Sequence, residues 1–259
     1  MPAVSKISSI SSPINRDTLA VGLKAAFTNA GFTTLVEDYA ASSTSDRLLI
    51  YSINFSGGTY GTIFLENRIT SARSLTSRIS TGWDISTHTA TGYTSAYTSS
   101  VSLGAIAKVT FTAINHPETR LVIVEQGTTT STILGIIRPG VKPDWWNEST
   151  HPFAWTPQTS AMSNLLGFTG ATTQNPYAST SPYPLLYVSA FAGNSPAAKA
   201  DAIAGIAIIL SPTNRSWSGI FSNELALCST IGKRGDMIGD FLLLGTGTSA
   251  LAVKSNVPA

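Results

Sequence analysis

The sequence predicts an α+β chain: an N-terminal helix followed by predominantly antiparallel β-sheet, β-rich overall. Three observations predict it. Only one segment, Arg16 to Ala30, carries a clear helical period of apolar residues. Most other apolar residues fall in short runs that alternate with Ser, Thr and charged residues, as half-buried strands do. Gly, Pro, Asn and Asp clusters punctuate these runs at turn-like intervals, and no fixed-period repeat suggests a solenoid or propeller.

The helix is justified by Leu19, Leu23, Ala26, Phe27 and Ala30, which share one face. Asn15 is placed to cap its start, and Gly31 to end it in the left-handed conformation. Residues 1–15, rich in Ser and Ile, read as an arm that orders on a neighbour. After the helix, "FTTLVED" and "RLLIYSINF" read as strands, and "GGTYGTIFLENRI" as a hairpin turning at Gly57-Gly58. "LTSRISTGW" alternates Leu75, Ser77 and Ile79. Ser86 to Ser102 shows no firm period and reads as a long loop or mobile arm.

"AIAKVTFTAI", "TRLVIVEQG" and "STILGIIRP" are three further strands, the first two joined by the turn "NHPE", which places His116 at the surface. These elements make 16–138 a helix-plus-sheet unit. Residues 139–184 hold seven of the 13 prolines, so regular elements there are short. Residues 185–259 read as a C-terminal β-rich part packing on the same or a second sheet. Its strands are "LLYVSAF", "IAGIAIIL" and a final hairpin, "FLLLGTGTSALAV", around Gly245 to Gly247.

Composition excludes several classes of function. In 259 residues, 42% hydrophobic content can fill one large or two small domains. Charged residues are only 12%, about half the roughly 25% typical of soluble proteins, which points to surfaces covered by hydroxyls and by neighbouring subunits. A net charge of +2 and the absence of any basic run beyond Lys233-Arg234 argue against a nucleic-acid footprint. The longest apolar run, "AIAGIAIIL", is far short of the roughly 20 residues that span a bilayer, and residues 1–13 lack a secretory pattern. No membrane association is expected. Cys228 is the single cysteine, so disulfides and multi-thiolate metal sites within one chain are excluded, and its apolar setting reads as core.

Motifs with chemical potential are sparse. Gly245-Thr-Gly-Thr-Ser-Ala250 has dinucleotide-fingerprint glycine spacing, but that mechanism needs a following helix, and Leu251 to Lys254 alternate like a strand. Asp144, Glu148 and His151 fall at i, i+4 and i+7, which on a helix would align three metal ligands. Without a second histidine they read as exposed turn residues. His88, His116 and His151 each sit beside turn-forming or hydroxyl residues, and neither a nucleophile elbow nor a P-loop occurs. The acid pairs Glu37 with Asp38 and Glu118 with Glu125 are of a kind that arises by chance. Arg234-Gly235-Asp236 reads as a structural turn. The sequons at Asn54 and Asn147 stay unmodified without export. No catalytic residue, metal site or cofactor is expected.

The aromatic stretch "VKPDWWNESTHPFAW" stands apart, with three of the chain's five tryptophans. Trp145, Trp146, Phe153 and Trp155 can pack within the chain, anchor a subunit contact, or form a platform on which sugar rings stack.

Four pieces in order, "RDTLAVGLKAAFTNAGF", "GTYGTIFLENRI" with "STGWDISTHTATG", "RLVIVEQGTTTSTILGIIRPGVKPDWWNESTHPFAWTP" and "GDFLLLGTGTSALAV", resemble structural proteins of tailed bacteriophages, most like those of phages infecting cyanobacteria. The resemblance implies a non-enzymatic virion subunit, present in several copies in the tail, baseplate, fibre or neck. It would assemble in host cytoplasm with other virion proteins as a homo- or hetero-oligomer. Capsid decoration is the rival location. Two other classes compete with this reading. One is a glycan-binding receptor-recognition module on a tail fibre, using the tryptophans. The other is an envelope hydrolase built on Asp144, Glu148 and His151.

Overall fold

Asn15 caps the helix as the sequence predicts: its side-chain oxygen accepts from the backbone N–H groups of Asp17 and Thr18, and Thr18 Oγ1 accepts from Asn15 N in return. In the computed structural model α1 runs over Arg16–Asn29, Ala30 is its C-cap, and Gly31 follows at φ +85°. The structure describes residues 3–55, 61–95, 97–117, 119–127, 130–138, 152, 154–157 and 164–168. Beyond these it describes 185–190, 203–210, 216–220, 225–229, 236–238, 241–243 and 248–254.

The molecule is β-rich, with antiparallel sheets and one helix among the described residues. A four-stranded sheet is ordered β1 (Ala3–Ile10), β8 (Val109–His116), β9 (Thr119–Gln126) and β10 (Thr130–Ile137). A six-stranded sheet contains β2 (Thr34–Tyr39), β3 (Arg47–Ile53), β4 (Ile63–Ile69), β5 (Ser74–Asp84) and β6 (Thr89–Thr94) in that order, with β7 (Val101–Ser102) pairing β5. The third sheet has nine strands among the described residues. It begins with β11 (Thr156–Pro157) and β12 (Asn164–Leu166) and continues through β13 (Leu185–Ala190) and β14 (Ile203–Leu210). β15 (Ser216–Ile220) pairs β14, and the rest are β16 (Leu225–Ser229), β17 (Met237–Ile238), β18 (Phe241–Leu243) and β19 (Thr248–Lys254).

The α1 face built from Leu19, Leu23, Ala26 and Phe27 is fully buried between the first two sheets, where the helix packs on β1, β8 and β9 and on β3 and β4. Gly22 permits that approach: a Cβ there would lie 2.6 Å from the Phe111 ring. Phe27, Phe32 and Tyr51 form an aromatic cluster with ring centroids 4.9 to 5.7 Å apart. Arg16, itself buried, turns back to donate to the carbonyls of Ser42 and Ser45 at 2.5 and 2.6 Å, and so fastens the β2–β3 loop to the helix.

Several expectations change. A strand precedes the helix: residues 3–10, read above as part of an arm, pair with β8 of the same chain. Ser86 to Ser102 is not one long loop, because it contains β6 and β7, and Ser95 and Thr98 are buried against β5. The hydroxyls of those two residues accept the backbone N–H groups of Ile79 and Ser77 at 3.0 and 2.9 Å. Side-chain oxygens thus complete the edge where ladder strands would, a device that leaves no hydrophobic period. His116 is 2% exposed rather than at the surface, since it closes the β8–β9 ladder opposite Thr119. The Gly57-Gly58 turn and the Gly245 to Gly247 turn lie outside the described residues. β18 and β19 do pair antiparallel, and a strand, not a helix, follows the glycines.

Candidate functional site

Adjacent strand residues point to opposite faces of a sheet, so Glu37 and Asp38 of β2 cannot act as the carboxylate pair their sequence positions suggested. Asp38 joins a surface ion network. It accepts from Lys24 Nζ at 2.7 Å and from Arg47 Nε at 2.6 Å, while Arg47 Nη1 reaches Asp17 at 2.8 Å. The Arg47 hydrogen bond is the main reason both carboxyls titrate below the ordinary aspartate value. Glu37 faces the other way, onto the outer face of the six-stranded sheet.

On that outer face the register aligns Glu37, Ile50, Glu66 and Arg78 across β2, β3, β4 and β5, with Tyr39, Leu48, Arg68 and Thr76 as the neighbouring row. β5 continues past its last β4 partner, Ser80, as a hairpin with β6. The register shifts between Ser80 and Gly82, and such bulges bend a strand. The hairpin reaches back to the far edge of the sheet. Trp83 Nε1 donates to Glu37 Oε2 at 2.6 Å, His88 Nδ1 bonds Glu37 Oε1, and the His88 ring stacks on Tyr39 with centroids 3.5 Å apart. Within the turn, Asp84 Oδ1 accepts from both the backbone N–H and the hydroxyl of Ser86, and His88 takes a left-handed conformation at φ 55°.

Glu66 is the most enclosed acid on this face, at 2% exposure. Its two oxygens accept from Tyr97 Oη and Arg78 Nε, each at 2.6 Å, and the Arg78 guanidinium lies 4.4 Å over the Tyr97 ring. Burial, with the Glu66 carboxylate beside it, pushes the Tyr97 phenol up to about 12. Arg68 Nε donates to Asp46 Oδ2 at 2.5 Å, which holds the guanidinium above its ordinary pKa. These side chains line a cleft of about 330 Å³ together with Leu48, Tyr39, His88 and Thr89.

Of the residues singled out in the sequence, Trp145, Trp146, Phe153, Asp144, Glu148 and His151 lie outside the described residues. Trp155 is placed. It is fully buried, and it exchanges two 2.8 Å backbone hydrogen bonds with Ile137 at the end of β10, one residue before β11 begins. It therefore packs in its own core and is unavailable as a glycan platform or subunit anchor. Cys228 sits in β16 with strand partners on both sides. Among the described residues no group of His, Cys, Asp and Glu is arranged to hold a metal ion. No described helix is long and apolar enough to cross a membrane.

The cleft leaves no local signal in the sequence, because its lining comes from separate strands and loops of the six-stranded sheet. Beside it, Glu37 and His88 stand 51 residues apart in the chain, and the hairpin's return across the sheet joins them. In comparisons with known proteins, no family model, no curated protein and no solved structure matched the chain.

Proposed function

We propose that the chain is a non-enzymatic structural subunit of a tailed-bacteriophage particle, in the tail, baseplate, fibre or neck. It acts by assembling with other virion proteins and with copies of itself. The observation that carries the reading is the open sheet edge at β1, which among the described residues has β8 as its one strand partner. A strand with one uncommitted main-chain edge is a template for pairing with another chain. The resemblance of the four sequence pieces and the 12% charge content support the same conclusion, since a hydroxyl-rich surface is readily covered in an assembly.

Mass spectrometry of intact, gradient-purified particles tests the reading: peptides of this chain are expected in stoichiometric amount, and their absence sinks it. A reconstruction of the particle then separates the tail region from capsid decoration. Contacts that bury more than about 1,000 Å² are expected around β1.

A further inference from the structure

We propose that the cleft between the β5–β6 hairpin and the outer face of the six-stranded sheet is a binding site for a neutral saccharide. The cleft, about 330 Å³, lies at the small end of the ~300–1,000 Å³ range of small-molecule sites, which suits a ligand of one or a few rings. Its charges cancel: Arg68 and Arg78 on one side of the balance, Asp46 and Glu66 on the other. An anion entering there gains two guanidinium groups and meets two carboxylates, and a cation meets the reverse. A sugar hydroxyl donates and accepts at once, so a neutral polyol uses both kinds of group without electrostatic penalty.

The donors are fixed before any ligand arrives. Arg78 is held through Nε by Glu66 and through its face by Tyr97, and among the described residues its terminal nitrogens have no hydrogen-bond partner. Arg68 is held through Asp46 in the same way, leaving Nη1 and Asp46 Oδ1 uncommitted among the described residues. A fork held at one end costs little further entropy when its other end binds. Leu48 and the tyrosine rings supply the apolar surface that the C–H face of a sugar ring needs. Arg16 serves the site as a positioning residue, because its bonds to the Ser42 and Ser45 carbonyls set the loop that carries Asp46.

This proposal goes beyond the assembly reading, and the two fail separately: absence from particles leaves it standing, and absence of sugar binding leaves particle membership standing. The test is a two-dimensional NMR titration of the full chain, following the Trp83 indole N–H and the Arg78 Nε–H. The probes are glucose, galactose, mannose, maltose and cellobiose, with glucuronate and glucosamine as charged counterparts. Saturable millimolar shifts are expected with at least one neutral sugar, strongest with a disaccharide if the natural source is a polymer and with a monosaccharide if it is a free sugar. Leu48→Trp, which puts a bulky ring on the lining, and Arg78→Lys, which keeps a cation opposite Glu66 but removes the fork, are each expected to weaken binding at least about tenfold. If Leu48→Trp does not fold, Arg68→Gln serves in its place. No saturable shift with any neutral sugar, undiminished binding by folded variants, or tighter binding of glucuronate or glucosamine than of glucose overturns the proposal.

Discussion

Trp83 Nε1 donates to Glu37 Oε2 at 2.6 Å and so joins the β5–β6 hairpin to β2, the opposite edge strand of the same sheet. Glu37 is nearly enclosed there, with a side chain 8% exposed. Loss of a hydrogen bond to a buried charge costs about 1.5–3 kcal/mol. Trp83→Phe, which keeps most of the apolar ring and removes the N–H, is therefore expected to lower unfolding stability by about 2 kcal/mol. It is also expected to speed amide exchange across the β5–β6 ladder more than in β8 and β9. Unchanged exchange in the hairpin would show that the clasp does not hold it.

The network of Asp17, Asp38, Arg47 and Lys24 makes stability depend on pH in one direction. Both aspartates titrate below their ordinary value in the folded chain, chiefly through the Arg47 hydrogen bonds. Their contribution is thus complete above about pH 4, the unfolded range, and is lost as pH falls towards the lower folded values. Asp38→Asn is expected to flatten the fall of the urea midpoint below about pH 4. Its cost at neutral pH is about 1 kcal/mol or less, because the group is partly solvated and screened. A steeper acid slope in the variant would contradict this assignment.

Trp155 is the largest fully buried side chain among the described residues, and it ties the end of β10 to the start of the third sheet. Trp155→Ala is expected to cost about 3–5 kcal/mol, the usual range for an aromatic removed from a core, and Trp155→Phe clearly less. Denaturant titration with a second probe of tertiary packing measures it. A loss under about 1 kcal/mol would place the ring outside the cooperative core.

Gly135 lies in β10 at φ +135°, and a Cβ there would stand 2.1 Å from the Arg120 carbonyl oxygen. Both the conformation and the contact exclude a side chain. Gly135→Ala is expected to destabilise by about 2 kcal/mol or more, since backbone strain and a main-chain collision add. Thermal unfolding of the variant beside a control in open space, Gly61→Ala, checks it. Equal midpoints for the two variants would refute the assignment.

The helix was legible because its signals are local: the Asn15 cap, the apolar face from Leu19 to Phe27 and Gly31 all act within a few residues of one another. The strands "RLLIYSINF" and "TRLVIVEQG" were legible from alternation and β-branched content, and β3 and β9 lie within them. The segment from Ser86 to Ser102 was not, because hydroxyls of Ser95 and Thr98 replace ladder hydrogen bonds there and carry no apolar period. Surface placement of His116 failed for a related reason. A turn signal locates the chain reversal but not which neighbours cover it.

By itself the sequence determined what depends on near neighbours: one capped helix, the positions of most strands in residues 16–138, and a chain poor in charge with a single cysteine. The tertiary structure alone decided which faces are covered. It buried Trp155, turned Glu37 and Asp38 to opposite sides of one strand, and brought His88 and Trp83 back to Glu37. The reason is that strand pairing and hairpin bending act between residues tens of positions apart. Their energies depend on register and on what lies above the sheet, neither of which a local pattern encodes.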